Sequence, residues 1–242
     1  MVAAETGSTQ STPGRAPRVP GTVGVILAAG EGTRIGSGRK AFLRLDGVPL
    51  YRIAVDLLSP HVERVLVGVP PALVDEARDE LASMAEVSAG GKTRFETIVG
   101  LAERCPEETV VLHDAARPFA PSSLVAAVVA AARTSEAVVA AVLSPGRHVR
   151  ATGDRLVEVI AKTEGHTLQT PQAYRRRLLL LAAERAARDG LPDLTPSEVV
   201  LRLGVPVYVV AGEFWNFKIT TARDWSAAQL LAPLARQAWA AR

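Results

Sequence analysis

VGVILAAGEGTRIGSGRK, residues 23–40, decides the fold. Val23 to Leu27 is an apolar run, the composition of a strand buried on both faces of a parallel sheet. From Leu27 to Lys40, fourteen positions hold four glycines and three basic side chains. A glycine-rich loop leaving the first strand of an open α/β sheet sits where ligands bind, beyond the carboxyl ends of the strands. Glycines let backbone N–H groups approach an anion with no Cβ in the way, and Arg34 and Lys40 are placed to add charge.

The rest of the chain repeats the strand–helix alternation. Val65–Val69, Val110–Leu112, Ala137–Val142 and Val205–Val210 read as further strands. Tyr51–Leu58, Leu73–Met84, Arg94–Arg104, Ser122–Arg133, Tyr174–Arg188 and Ala222–Leu231 have apolar residues three and four apart and read as helices. The expected fold class is therefore α/β, a Rossmann-like three-layer sandwich around a mostly parallel, mixed sheet. Asp46-Gly47 predicts a tight turn, and Thr195-Pro196 with Glu198 predicts a capping box opening a helix to Leu203. Residues 144–165 break the alternation, with turns at Pro145-Gly146 and Thr152-Gly153-Asp154, and read as a projecting β-hairpin arm. Such an arm lids a site, clasps a second subunit, or is an inert excursion.

Composition narrows the function. With 242 residues, 48% of them apolar, the chain can bury a large core, and we expect one domain over 22–242. Residues 1–21, rich in Ser, Thr, Pro and Gly, read as a disordered tail. They contain no apolar run of signal-peptide length, and no run of about 18 apolar residues exists to span a bilayer, so the expectation is a cytoplasmic protein with no membrane partner. Cys105 is the only cysteine, which excludes an internal disulfide and a cysteine-rich zinc site. A formal charge of only +3, without a dense basic patch, argues against nucleic acid and for small anionic ligands.

The loop fails two phosphate-binding patterns. Ile35 stands where a dinucleotide fingerprint needs its third glycine, and no Gly-Lys-Ser/Thr closes the run as a P-loop would. The chain's one Gly-Lys-Thr, at 91–93, has Glu86 where a P-loop's first glycine belongs. What matches is L-A-A-G-x-G-x-R followed by Lys40, which resembles the signature loop of nucleotidyltransferases that move a nucleoside monophosphate onto a phosphorylated acceptor.

With "AGGKTRFETIVGL" at 89–101, "HDAARPF" at 113–119, "LQTPQAY" at 168–174 and "NFKITTARDW" at 216–225 following in order, the chain resembles the 2-C-methyl-D-erythritol 4-phosphate cytidylyltransferase family over about residues 22–238. The resemblance implies nucleotide binding by Ala28, Ala29, Gly30, Gly32, Gly90, Gly91, Arg94 and Thr97. It implies a Mg²⁺ on Asp114, with Glu213 as a candidate second oxygen ligand. Arg34, Lys40 and Lys218 would be catalytic, offsetting charge as the acceptor phosphate attacks the α-phosphorus of CTP in line. Arg117 would fix the loop after Asp114, and His113 reads as a packed, hydrogen-bonded histidine rather than a base. Phe214 and Trp215 read as core or site wall.

On the acceptor side, the resemblance implies contacts from Lys162, Thr195 and Glu198, with the arm clasping a partner in a homodimer and Lys162 reaching across. Here the chain departs from the family. Ser144-Pro145 stands where an Asp-Thr pair is expected, Lys162 where the family has an arginine, and "LTPSEVV" at 194–200 where it has an acidic run. Lysine keeps the charge but not the bidentate fork. Ribitol 5-phosphate or a phosphonate as acceptor, and a non-catalytic nucleotide-binding paralogue, are the alternatives to the methylerythritol phosphate.

Overall fold

A computed structural model describes residues 18–30, 39–190 and 194–240, apart from the side chains of 236–240. In chain order, β1 (Val19–Leu27) is followed by a small hairpin, β2 (Arg44–Leu45) and β3 (Val48–Pro49), then α1 (Leu50–Leu58) and β4 (Val62–Val69). Next come α2 (Val74–Leu81), β5 (Glu86–Ala89), α3 (Arg94–Glu103), β6 (Thr109–Asp114), α4 (Ser122–Ala131) and β7 (Ala137–Leu143). The arm strands β8 (His148–Thr152) and β9 (Arg155–Ile160) lead to β10 (His166–Arg175), α5 (Arg176–Asp189), α6 (Pro196–Arg202), β11 (Tyr208–Ala211) and α7 (Ala222–Ala240).

Seven strands form the central sheet in the order β11-β7-β10-β6-β1-β4-β5. Only β10 runs against its neighbours, so the sheet is mixed but mostly parallel. Period-two alternation divides each strand between two cores. Ile26, Val65, Val67, Val111, Val138 and Ala140 pack with α1, α2 and α4, while Val23, Val25, Leu66, Val110, Leu112 and Val139 pack with α3, α5 and α6. The result is the three-layer α/β sandwich predicted from the sequence.

Several boundaries differ from the sequence reading, each for a local reason. β1 begins at Val19, inside the segment read as tail, because Gly21 takes a φ of +70° and its N–H donates to the Glu63 carboxylate at 2.9 Å, which absorbs an irregularity in the pairing with β4. Residues 1–17 of that tail lie outside the described residues. Tyr174 belongs to β10, fully buried, and α5 starts two residues later at Arg176. β11 starts only at Tyr208, because Pro206 has no N–H for the ladder. Neither β5 nor β10 is predicted from the sequence, the first for shortness and the second because Pro171 and two glutamines hide its pattern. Phe214 and Trp215, read as core or site wall, are both more than 60% exposed and meet edge-on at 5.7 Å.

The arm is a separate two-stranded sheet, with Gly153 at a φ of +56° in its turn. Ser144 N–H donates to Gly165 O at 2.8 Å across its base. The helix α3 lies almost flush on the sheet, since a methyl group on Gly68 would sit 2.8 Å from Thr97 Cγ2 and 2.9 Å from Leu101 Cδ1. Gly68→Val is therefore expected to lower stability by about 1–3 kcal/mol and to push Thr97 away from the strand ends. Urea midpoints of the variant and the parent check this; equal midpoints would contradict the close packing.

Candidate active site

The parallel strands deliver their carboxyl ends to one edge. Leu27 pairs with Gly68 on one side and with Asp114 on the other, so the loops after β1, β4 and β6 leave from neighbouring points. Ala28 N–H donates to Gly68 O at 2.9 Å and Gly90 N–H to Val69 O at 2.8 Å, which carries the ladder into the two glycine loops. Ala28, Ala29, Gly30, Lys40, Gly91, Arg94, Thr97, Asp114 and Lys218, scattered along the sequence, line one cavity there. Gly90 lies just behind the wall, where a Cβ would run into that of Ala29. Gly32 and Arg34 lie outside the described residues.

Asp114 is the charge centre of this cavity. Its side chain is 9% exposed, and both of its oxygens are paired. Arg94, from the first turn of α3, reaches Oδ1 through Nη2 at 3.1 Å and Nε at 3.3 Å, and Lys218 donates from Nζ to Oδ2 at 2.8 Å. Burial alone would push this carboxyl up. The Arg94 and Lys218 cations, with Arg117 behind them, more than reverse that and hold it well below the usual carboxylate range. Arg94, predicted as a nucleotide ligand, thus also anchors the acid.

Two further residues complete the wall, and one of them is cationic. Lys92 and Thr93 line the cavity, so Lys40, Lys92, Arg94 and Lys218 face a single carboxylate among the described lining residues. The signal for Lys92 was present in "GGKTR", a lysine directly after a glycine pair. Thr97 plays a shaping role: its hydroxyl accepts from Gly91 N–H and donates to Thr93 O, both at 3.0 Å, which folds the glycine loop over the start of α3. Thr93 itself caps that helix by accepting from Glu96 N–H at 3.0 Å.

Behind Asp114 the polar groups are buried and paired. Asp114 N–H donates to Thr170 Oγ1 at 3.1 Å, and that hydroxyl lies 3.2 Å from His113 Nδ1. The other ring nitrogen of His113 lies 3.2 Å from Arg117 O, so the imidazole is a packed structural group turned away from the cavity. Arg117 donates to Asn216 O at 2.7 Å and to Leu168 O at 3.1 Å, fastening the loop after β6 to the segment that carries Lys218.

Residues 22–233 match the family model described as 2-C-methyl-D-erythritol 4-phosphate cytidylyltransferase. The chain is 36% identical over 213 residues to the protein of that name from Deinococcus radiodurans, covering 88% of this chain and 90% of the other. It is 39% identical over 225 residues to the Rhodococcus opacus protein of the same name, covering 90% and 96%. The crystal structure of the Thermus thermophilus cytidylyltransferase superposes with a TM-score of 0.74 at 32% identity, covering 88% of this chain and 99% of that one. This chain belongs to the 2-C-methyl-D-erythritol 4-phosphate cytidylyltransferase family. A TM-score of 0.79 to the 4-diphosphocytidyl-2C-methyl-D-erythritol synthase structure from Anaerococcus prevotii, at 23% identity, shows the shared fold.

The remaining residues that the family resemblance singled out stand apart from the cavity. Lys162 is exposed at the foot of the arm, outside the lining. Thr195 and Glu198 form a capping box at the start of α6: Thr195 N–H donates to Glu198 Oε2 at 2.7 Å, and the Thr195 hydroxyl lies 3.4 Å from Glu198 N. Thr195 N–H and the Thr195 hydroxyl, both donating to Glu198 Oε2 at 2.7 Å, hold the Glu198 carboxyl below its ordinary value. The Glu213 side chain is exposed and does not line the cavity.

His113 also supplies a pH test of the assembly. Burial pushes its pKa from 6.5 to about 4, so in this window the unfolded chain holds a proton that the native protein refuses. Native stability is whole above about pH 6.5 and is lost as pH falls toward 4, by up to about 1.4 kcal/mol per pH unit. Urea midpoints measured from pH 7 to pH 4.5 should show this slope, and His113→Gln should flatten it; an unchanged slope in the variant would contradict the neutral, buried histidine.

Proposed function

We propose that this chain transfers CMP from CTP to the phosphate of 2-C-methyl-D-erythritol 4-phosphate and releases pyrophosphate, a step in isoprenoid precursor synthesis. Family membership supports the reaction. The observation that carries it is the cavity itself, where the described lining residues set four cations around one ionised carboxylate at the carboxyl edge of the sheet.

The acceptor's phosphate oxygen is already a competent nucleophile, so positioning and charge neutralisation are sufficient. That suits a site whose adjoining imidazole, His113, is buried and turned away. The acceptor oxygen attacks the α-phosphorus in line and pyrophosphate leaves on the opposite side. Lys40 and Lys218 offset the growing negative charge, with Arg34 as the third cation, and the loops of Ala28–Gly30 and Gly90-Gly91 hold the nucleotide.

Asp114 would hold a Mg²⁺. One carboxylate fits this ion, which keeps several waters and takes its other oxygens from substrate phosphates rather than from a protein cage. Bound there, the ion would neutralise phosphate charge. Glu213, outside the lining, is the weaker half of this donor set.

We read the functional unit as a cytoplasmic homodimer. The setting suits a nucleotide-dependent enzyme whose single cysteine is a buried thiol. The arm supports the dimer: Val149, Leu156, Val157 and Val159 are all at least half exposed on an isolated two-stranded hairpin, a unit that is marginal alone. A second subunit covering these side chains would bring the partner's Lys162 toward the acceptor phosphate.

The deciding experiment is pyrophosphate release with Mg²⁺, CTP and methylerythritol phosphate, with ribitol 5-phosphate as the competing acceptor and ATP, GTP and UTP as competing nucleotides. Release confined to CTP and methylerythritol phosphate is the expected result. Lys40→Ala and Lys218→Ala should each cut turnover by about 10²–10³; Lys40→Ala should leave the melting temperature nearly unchanged, whereas Lys218→Ala also removes one of the two partners of buried Asp114 and should lower it. Near-normal turnover in either variant would remove that lysine from the mechanism. Light scattering at micromolar concentration should return twice the 25.6 kDa chain mass, and a monomer would remove the cross-subunit role of Lys162.

A further inference from the structure

The segment 212–221 connects β11 to α7 and carries Lys218 to the cavity without regular secondary structure of its own. A cationic group on such a segment keeps its place only if something rigid holds the backbone. Arg117 holds it at Asn216 O from the loop after β6, and β10 holds it through Gln169 and through the Thr170 carbonyl, which accepts from Asn216 Nδ2 at 2.8 Å.

Gln169, 3% exposed, uses its amide as a strand would use a peptide unit. Its Nε2 donates to Glu213 O at 2.8 Å and its Oε1 accepts from Glu213 N–H at 3.1 Å. The same oxygen accepts from Asn216 Nδ2 at 3.2 Å. Gly212 makes the approach possible, since a Cβ there would lie 2.5 Å from Gln169 Oε1 and 2.9 Å from the Ala141 carbonyl carbon. Gln169 is itself anchored, because Gln172 Nε2 donates to its carbonyl at 2.9 Å and Tyr174 Oη donates to Gln172 Oε1 at 2.9 Å. It also adjoins Thr170, which receives the Asp114 N–H.

We propose that Gln169 is a positioning residue for the transfer reaction, its amide clamping the Glu213 backbone and the Asn216 side chain so that Lys218 meets Asp114 and the phosphates in register. This rests on the reading of Lys218 as a catalytic cation. The pocket-facing motifs do not disclose it, because Gln169 lies outside the cavity lining and acts on the Glu213 backbone and the Asn216 side chain, five and two residues upstream of the group it serves.

The test uses the full chain, Gln169→Leu as the apolar loss of the amide, and Gln169→Glu as a second variant that keeps an acceptor oxygen but loses the donor. Turnover is measured by pyrophosphate release in the parent and in a Lys218→Ala background, and amide hydrogen exchange is followed over 212–218. Gln169→Leu should reduce kcat about 10-fold or more in the parent, since small misplacements of a charge-stabilising group are costly. It should have less than about a 2-fold effect once Lys218 is gone, because groups acting as one unit are not additive. Faster exchange should be confined to 212–218, with Gln169→Glu intermediate. An equal loss in both backgrounds, a lower melting temperature with normal kcat, or exchange rising evenly over the molecule would each overturn the proposal. Exchange reads the clamp without turnover, so an inactive parent enzyme would sink the transfer reading and leave the clamp to be judged by exchange alone.

Discussion

A carboxylate taken out of water at the end of a β-strand must find positive charge, and Asp114 finds it twice. Its partners come from residues 20 and 104 positions away, Arg94 on the first turn of α3 and Lys218 on the segment before α7. An unpaired charge at such a site costs several kcal/mol, so the arrangement that satisfies Asp114 also places α3 and the 212–218 segment. The ion pairs keep the acid ionised and hold two cations at the cavity, ready for an anionic ligand that competes for them.

The sheet makes this meeting possible. Parallel pairing of β4, β1 and β6 puts three loops side by side, and each loop begins where the ladder's last hydrogen bonds end. The one reversed strand adds what parallel strands cannot. β10 enters from the arm, passes beside β6 and β7, and has an irregular register with β7 between Gln169 and Gln172. At that irregularity Thr170 turns to the Asp114 backbone and Gln169 to the 212–216 segment. A regular alternating strand would have sent neighbouring residues to opposite layers.

Much of the site was legible because its parts are local. The loop from Leu27 to Lys40 announces anion binding by its glycines and cations, the family resemblance of "AGGKTRFETIVGL" marks Gly90, Gly91, Arg94 and Thr97, and an aspartate ending the apolar run Val110–Leu112 must emerge at the ligand edge. The capping box at Thr195 and Glu198 was equally readable, since its residues lie three apart. β10 was not, because its residues have neither period two nor strand composition, and its place between β6 and β7 is set by partners more than twenty residues away.

The sequence by itself therefore determined the α/β class, the strand–helix order of most of the sheet, the position of the anion-binding loops and the cations available to them. These follow from periodicity, turn chemistry and residue type, all of which act over a few residues. Tertiary structure alone decided that Arg94 and Lys218 share one carboxylate, that Thr97 shapes a loop, that Phe214 and Trp215 lie exposed, and that Gln169 holds the Lys218 segment. Each of these depends on which distant backbones are brought within hydrogen-bond distance. Burial then fixes the outcome, because a polar group removed from water must be paired with whatever the fold places beside it.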